Sequence, residues 1–171
     1  MRQAPPPAAR RFAGRRTSGR AQQDHLLDPY QKQAKLTDGA VCSRCGAVYH
    51  EGRWTWSPRP QPSHETECPA CRRIADEAPA GSVLLQGAFA REHKDEIIGL
   101  ARHQEEAEKQ EHPLNRIIAI SEEAEGTVVT TTDIHLPRRI GEALKRAFHG
   151  DLDMHFDDNA FFTRVIWSGP E

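Results

Sequence analysis

The chain has 171 residues, of which 37% are hydrophobic and 6% aromatic. That is lean for one compact domain of this length, so part of the chain is expected to stay outside any packed core. No run approaches the roughly 20 apolar residues of a membrane span. The start, MRQAPPPAARRF, has no apolar stretch behind its charges, which argues against a secretory signal and places the four cysteines in a reducing, cytoplasmic setting.

The net charge of −2 conceals an asymmetry. Residues 1–36 carry eight Lys/Arg against two acids, and the remainder carries 15 basic against 23 acidic residues. The first segment is rich in Arg, Pro, Ala and Gln and shows no sustained apolar period, so it reads as a disordered basic arm. Its arginines, Arg10, Arg11, Arg15, Arg16 and Arg20, present planar forked donors that match phosphate. They are candidate contacts to a nucleic-acid backbone, with a merely solubilising tail as the alternative.

Residues 37–78 form a cysteine unit. Cys42-Ser-Arg-Cys opens it, and 22 intervening residues, beginning with Gly46, lead to Cys-Pro-Ala-Cys. Two residues between cysteines let one tight turn aim both sulfurs at the same ion, and Gly46 permits the backbone geometry that follows. Two such turns supply Cys42, Cys45, Cys68 and Cys71 as a tetrahedral thiolate shell, which suits one zinc ion. Four protein ligands leave no open position, so the ion is expected to be structural. Ordinary thiols, an iron–sulfur cluster or a redox dithiol are the competing readings, and His50 and His64 are alternative ligands. The segment AVYHEGRWTW, turning at Glu51-Gly52, reads as the hairpin of a zinc ribbon. Arg53, Trp54 and Trp56 could make a stacking surface there, or the tryptophans could pack the ribbon core.

From residue 82 to 168 the pattern becomes α+β. Val83, Leu84 and Leu85 predict a strand, and residues 90–111 a helix. Ile97, Ile98, Leu100 and Ala101 can bury the first half of that helix, and its charged second half should project into water. Residues 116–133 predict two strands around an acidic turn at Gly126. Ile140, Ala143, Leu144, Ala147 and Phe148 fall at i, i+3, i+4, i+7 and i+8, one apolar helical stripe. Asp133 suits its N-cap and Gly150 its end. Leu152, Met154 and Phe156 alternate with polar residues as a half-buried strand, and FFTRVIW (161–167) is another. This order matches a ferredoxin-like split βαβ, βαββαβ with an extra hairpin strand, with both helices on one sheet face. Arg138, Arg139, Lys145 and Arg146 lie on the second helix and, with Arg53, complete the candidate nucleic-acid contacts, a solvated helix face being the plainer alternative.

Two stretches together, the paired cysteine turns and TTDIHLPRRIGEALKRAFHGDLDMHF (131–156) followed by FFTRVIW, resemble a known family. It is the large-ribosomal-subunit nuclear-export adaptor family of archaea and eukaryotes (nonsense-mediated-decay-3-like). The chain is more similar still to small bacterial proteins that share its ribbon and α/β domain. The resemblance spans roughly residues 40–168 and implies an adaptor that docks on the large ribosomal subunit. The family carries more metal-binding turns and a longer body than this chain.

No Gly-rich phosphate loop, GxSxG or HExxH occurs. The expectation is therefore a non-enzymatic zinc-ribbon adaptor that binds a ribosomal or other RNA-containing particle, with no membrane and no small-molecule substrate. The alternatives are a protein-interaction or regulatory module without nucleic acid, and an enzyme whose active site carries no familiar motif.

Overall fold

The computed structural model describes residues 28–30 and 36–171. Arg10, Arg11, Arg15, Arg16 and Arg20 lie outside the described residues, as does most of the segment read as an arm. Four of its residues, Asp28, Pro29, Tyr30 and Leu36, are placed: Asp28 is buried in an ion pair with Arg73 at 2.8 Å, and the Arg73 guanidinium lies 4.2 Å from the centre of the Tyr30 ring.

The described residues build a mixed α+β structure with two sheets. The first holds β1 (Ala40–Cys42), β2 (Val48–His50), β3 (Arg53–Thr55) and β4 (His64–Thr66) in the order β3-β2-β1-β4. β2 and β3 form the expected hairpin, with Tyr49 opposite Trp54 and positive φ at Glu51 and Gly52. β4 returns parallel to β1, and helix α1 (Pro69–Ala75) follows at once. Proline at its first turn needs no N–H donor and suits that position.

The second sheet holds β5 (Gly81–Gln86), β6 (Ile117–Glu123), β7 (Gly126–Thr131), β8 (Asp151–Asp157) and β9 (Phe162–Ser168), in the order β6-β7-β5-β9-β8. Helices α2 (Ala88–Glu92), α3 (Lys94–Glu111) and α4 (Leu136–Phe148) connect them. β5, α3, β6 and β7 give the expected split βαβ, since β7 lies antiparallel between β5 and β6. The closing elements differ from the ferredoxin-like order. The place beside β5 is taken by β9, parallel to it, and β8 lies outside as the edge. The hairpin strand is thus inserted into the sheet rather than added to its rim.

Alternation along the strands fixes which face is covered. Val83, Leu85, Val129, Val165 and Trp167 pack under Ile97 and Ala101 of α3 and Leu136, Ile140 and Leu144 of α4. Gly141 lets α4 come close: a Cβ there would stand 2.8 Å from Leu152 Cδ1 and from Val165 Cγ1. The opposite face carries the cross-strand row Val128–Leu84–Ile166, half-buried and outside that core.

Four expectations are corrected here. The helix over 90–111 is broken at His93, where α2 ends and turns Phe89 onto Phe148 and Trp167. The charged second half of α3 faces water along one side only, and its other side is engaged. Glu105 Oε1 accepts the Ile117 N–H at 2.7 Å, Glu108 pairs with Arg139 at 3.2 Å, and the Lys109 carbonyl accepts the Trp56 indole N–H at 2.5 Å. Glu105 and Glu108 serve as anchors for neighbouring elements. In β8, Leu152 is half-buried, but Met154 and Phe156 are exposed because an edge strand runs past the helices that would cover them. Ala147 also faces solvent, at the end of the α4 stripe.

Candidate metal centre

The two cysteine turns meet across the first sheet. Cys42 ends β1, and the turn through Cys45 closes with the Gly46 N–H on the Cys42 carbonyl at 2.9 Å, Gly46 adopting φ +78° as its position requires. Cys68 caps α1, its sulfur accepting the Cys71 N–H at 3.4 Å. The Cys68 N–H in turn points at the Cys42 sulfur, 3.3 Å away. Backbone donors aimed at sulfur favour thiolate, the metal-binding form.

All four sulfurs lie within 4.8 Å of one another, with Cys45 and Cys68 3.8 Å apart. Tetrahedral metal–thiolate bonds of about 2.3 Å place sulfurs about 3.8 Å apart, so the group can hold a metal ion. Cys42, Cys68 and Cys71 are buried, and Cys45 is half-exposed. The hydrogen bond between Cys45 and Cys68 pulls the Cys45 thiol well below its ordinary value and pushes Cys68 up. Burial raises Cys71.

A fifth side chain completes the site, and sequence reasoning missed it. Arg116, just before β6, directs Nη2 to Cys68 Sγ at 3.2 Å, Cys71 Sγ at 3.3 Å and Cys45 Sγ at 3.8 Å. Burial opposes its charge, but the hydrogen bond to Cys71 and the surrounding sulfurs outweigh that and raise its pKa. The one signal was chemical: four thiolates and a divalent ion leave a net −2 that calls for a nearby cation. Nothing in the spacing says which cation supplies it.

The alternative ligands are elsewhere. His50 Nδ1 pairs with Asp38 at 3.1 Å, and His64 Nε2 bonds the Thr37 hydroxyl at 3.0 Å. Trp54 is buried beside the cysteines, edge-on to Tyr49 with ring centres 5.6 Å apart, whereas Trp56 is 40% exposed.

The described candidate nucleic-acid residues are exposed but dispersed. Arg53 is on β3, Arg138 and Arg139 open α4, and Lys145 and Arg146 close it. Arg138 pairs with Glu142 at 2.8 Å and Arg139 with Glu108.

Between the cysteine unit and the second sheet runs a cleft of about 1080 Å³, lined in part by Tyr49, Trp54, His112 and Asp133. Asp133 Oδ2 accepts the N–H groups of His135 at 2.7 Å and Leu136 at 3.0 Å, so the expected capping side chain works from two residues ahead of the N-cap position, which His135 occupies. Its Oδ1 is shut off from solvent without a hydrogen-bond partner. Burial lifts this carboxyl to about 7 despite the two donors, and the charge of Glu108 adds to the lift. Between about pH 4 and pH 7 the folded state therefore binds the extra proton, and stability falls as pH rises through that window. The loss is at most about 4 kcal/mol, at roughly 1.36 kcal/mol per unit. Asp133→Asn keeps an acceptor for both N–H groups and should flatten that slope. Urea melts from pH 4.5 to 7.5 check this, and a slope equal to that of the unsubstituted chain would count against it.

No helix among the described residues is long and apolar enough to cross a membrane. No family model, curated protein or solved structure matches this chain.

Proposed function

We propose that the chain is a non-enzymatic adaptor, built around one structural zinc ion, that docks on an RNA-containing particle. The observation that carries the first half is the closed set of four sulfurs. An all-thiolate tetrahedral shell suits zinc, and with every position taken by protein the ion serves as a scaffold. Zinc titration should saturate at one equivalent per chain.

The docking half draws on opposite charge. The arm-side 36 residues carry eight basic groups against two acids, which suits phosphate. The sheet face left open by α3 and α4 is instead acidic toward its rim. Asp153 stands beside Ile166 and Asp151 beside Ser168, and the row is completed by Ser121 and Val128. A particle with both phosphate and basic protein offers a partner for each. The resemblance to the ribosomal export adaptors points the same way. Sucrose-gradient sedimentation of tagged protein at low and high salt tests it. Co-migration with a particle at low salt is expected, and migration only at the top at both salt levels would sink the reading.

A second reading, a protein-interaction module without nucleic acid, gains from the engagement of Arg138 and Arg139 by Glu142 and Glu108. Partners kept after nuclease treatment, and by a chain lacking residues 1–27, would favour it.

A further inference from the structure

We propose that Arg116 is a positioning residue that ties metal occupancy to the seating of the cysteine unit on the α/β unit. The inference rests on the metal reading above and goes beyond it. It makes the ion part of the junction between two units as well as the scaffold of one.

Arg116 belongs by its backbone to the second sheet. Its N–H donates to Thr132 Oγ1 at 2.9 Å, and its carbonyl accepts the Thr132 N–H at 2.9 Å. Those bonds fix where the side chain starts. From there the guanidinium crosses to the other unit and meets three sulfurs through one nitrogen, while its Nε is buried with no partner. Burying a guanidinium without an anion is costly. The loaded site, four thiolates around a divalent ion, carries a net −2 and offers that anion permanently. The empty site need not. Occupancy therefore favours the seated arginine, and by reciprocity the seated arginine favours occupancy.

The same segment holds other contacts across the junction. Leu114 packs against the cysteine cluster, and its carbonyl accepts the Thr132 hydroxyl at 2.5 Å. Trp56 reaches the Lys109 carbonyl from the other side. The stretch from 109 to 116 is thus where a loosened cysteine unit would be felt first.

The test uses the full chain, Co²⁺ as a spectroscopic probe, and hydrogen exchange. The unsubstituted chain should show the sulfur-to-cobalt charge-transfer and visible bands of a tetrathiolate. In it, chelation should raise exchange at 112–118 as well as in the cysteine unit. Arg116→Gln should keep the tetrathiolate spectrum but lose on the order of tenfold in metal affinity, by chelator competition. In that variant, exchange at 112–118 should be high with or without metal. Arg116→Lys, which restores a cation without the fork, should recover part of the affinity. A missing tetrathiolate spectrum in the unsubstituted chain overturns the metal reading and the proposal with it. A normal spectrum with equal affinity in Arg116→Gln overturns the proposal alone, as does metal-independent exchange at 112–118 in the unsubstituted chain.

Discussion

Cys68→Ser should abolish metal binding and unfold the unit between Ala40 and Ala75 while the α/β unit stays folded at reduced stability. The mutated sulfur has three roles: it is one of the four candidate ligands, it caps α1, and it is the closest sulfur to Arg116. Structural zinc contributes on the order of 10–16 kcal/mol in small peptides. The cysteine unit has nothing comparable to replace it, because its buried cluster comprises little more than the cysteines themselves, Ala47, Ala70 and Trp54. The α/β core contains none of these residues, so it should persist. It should not persist unchanged, because Arg116 loses its anions and Trp56 its fixed approach to Lys109. Hydrogen exchange read residue by residue checks both halves. Full protection at 112–118 in the variant would contradict the coupling, and loss of protection in Val83 and Val165 would contradict the survival.

Trp167→Ala should cost about 3–5 kcal/mol, the range for truncating a fully buried large aromatic. Trp167 is 0% exposed and is the largest fully buried side chain. Its ring meets Phe89 and Phe148, with centres 6.3 Å away in each case, and its indole N–H donates to the His149 carbonyl at 2.9 Å. Truncation removes the ring that both Phe89 of α2 and Phe148 of α4 pack against, and leaves that carbonyl without its donor. The cysteine unit makes no part of this cluster, so cobalt binding should be retained. A urea melt of the metal-loaded chain, followed by circular dichroism, measures the loss. A change below about 1 kcal/mol would show that the cavity collapses without cost.

The most legible parts were those governed by local rules. Cys42, Cys45, Cys68 and Cys71 come together as their spacing requires, and the hairpin turns at Glu51-Gly52. The α4 stripe buries Ile140, Ala143 and Leu144, as a 3.6-residue period dictates. The parts that escaped depend on distant partners. Nothing near Glu105 announces that it accepts a hydrogen bond from Ile117, so a run of charges looked like a solvated end. Nothing in DLDMHF says that β8 sits at an edge, since alternation reports a face and not the strand's neighbours. Arg116 is separated from Cys45 by 71 residues, and only the folded chain brings them within reach.

The insertion of β9 beside β5 has a bearing on how the chain is made. β5 is complete by Gln86, yet its parallel partner does not begin until Phe162. A nascent chain exposes one flank of its central strand until Phe162–Ser168 have been synthesised, with Trp167 still missing from the core. Long-range parallel pairing of this kind is slow to form, because loop closure precedes its reward. During that interval the open edge of β5 is a template for pairing with another chain. Truncations that stop short of residue 162 should therefore be recovered as aggregates, and yield should return only once the final strand is present.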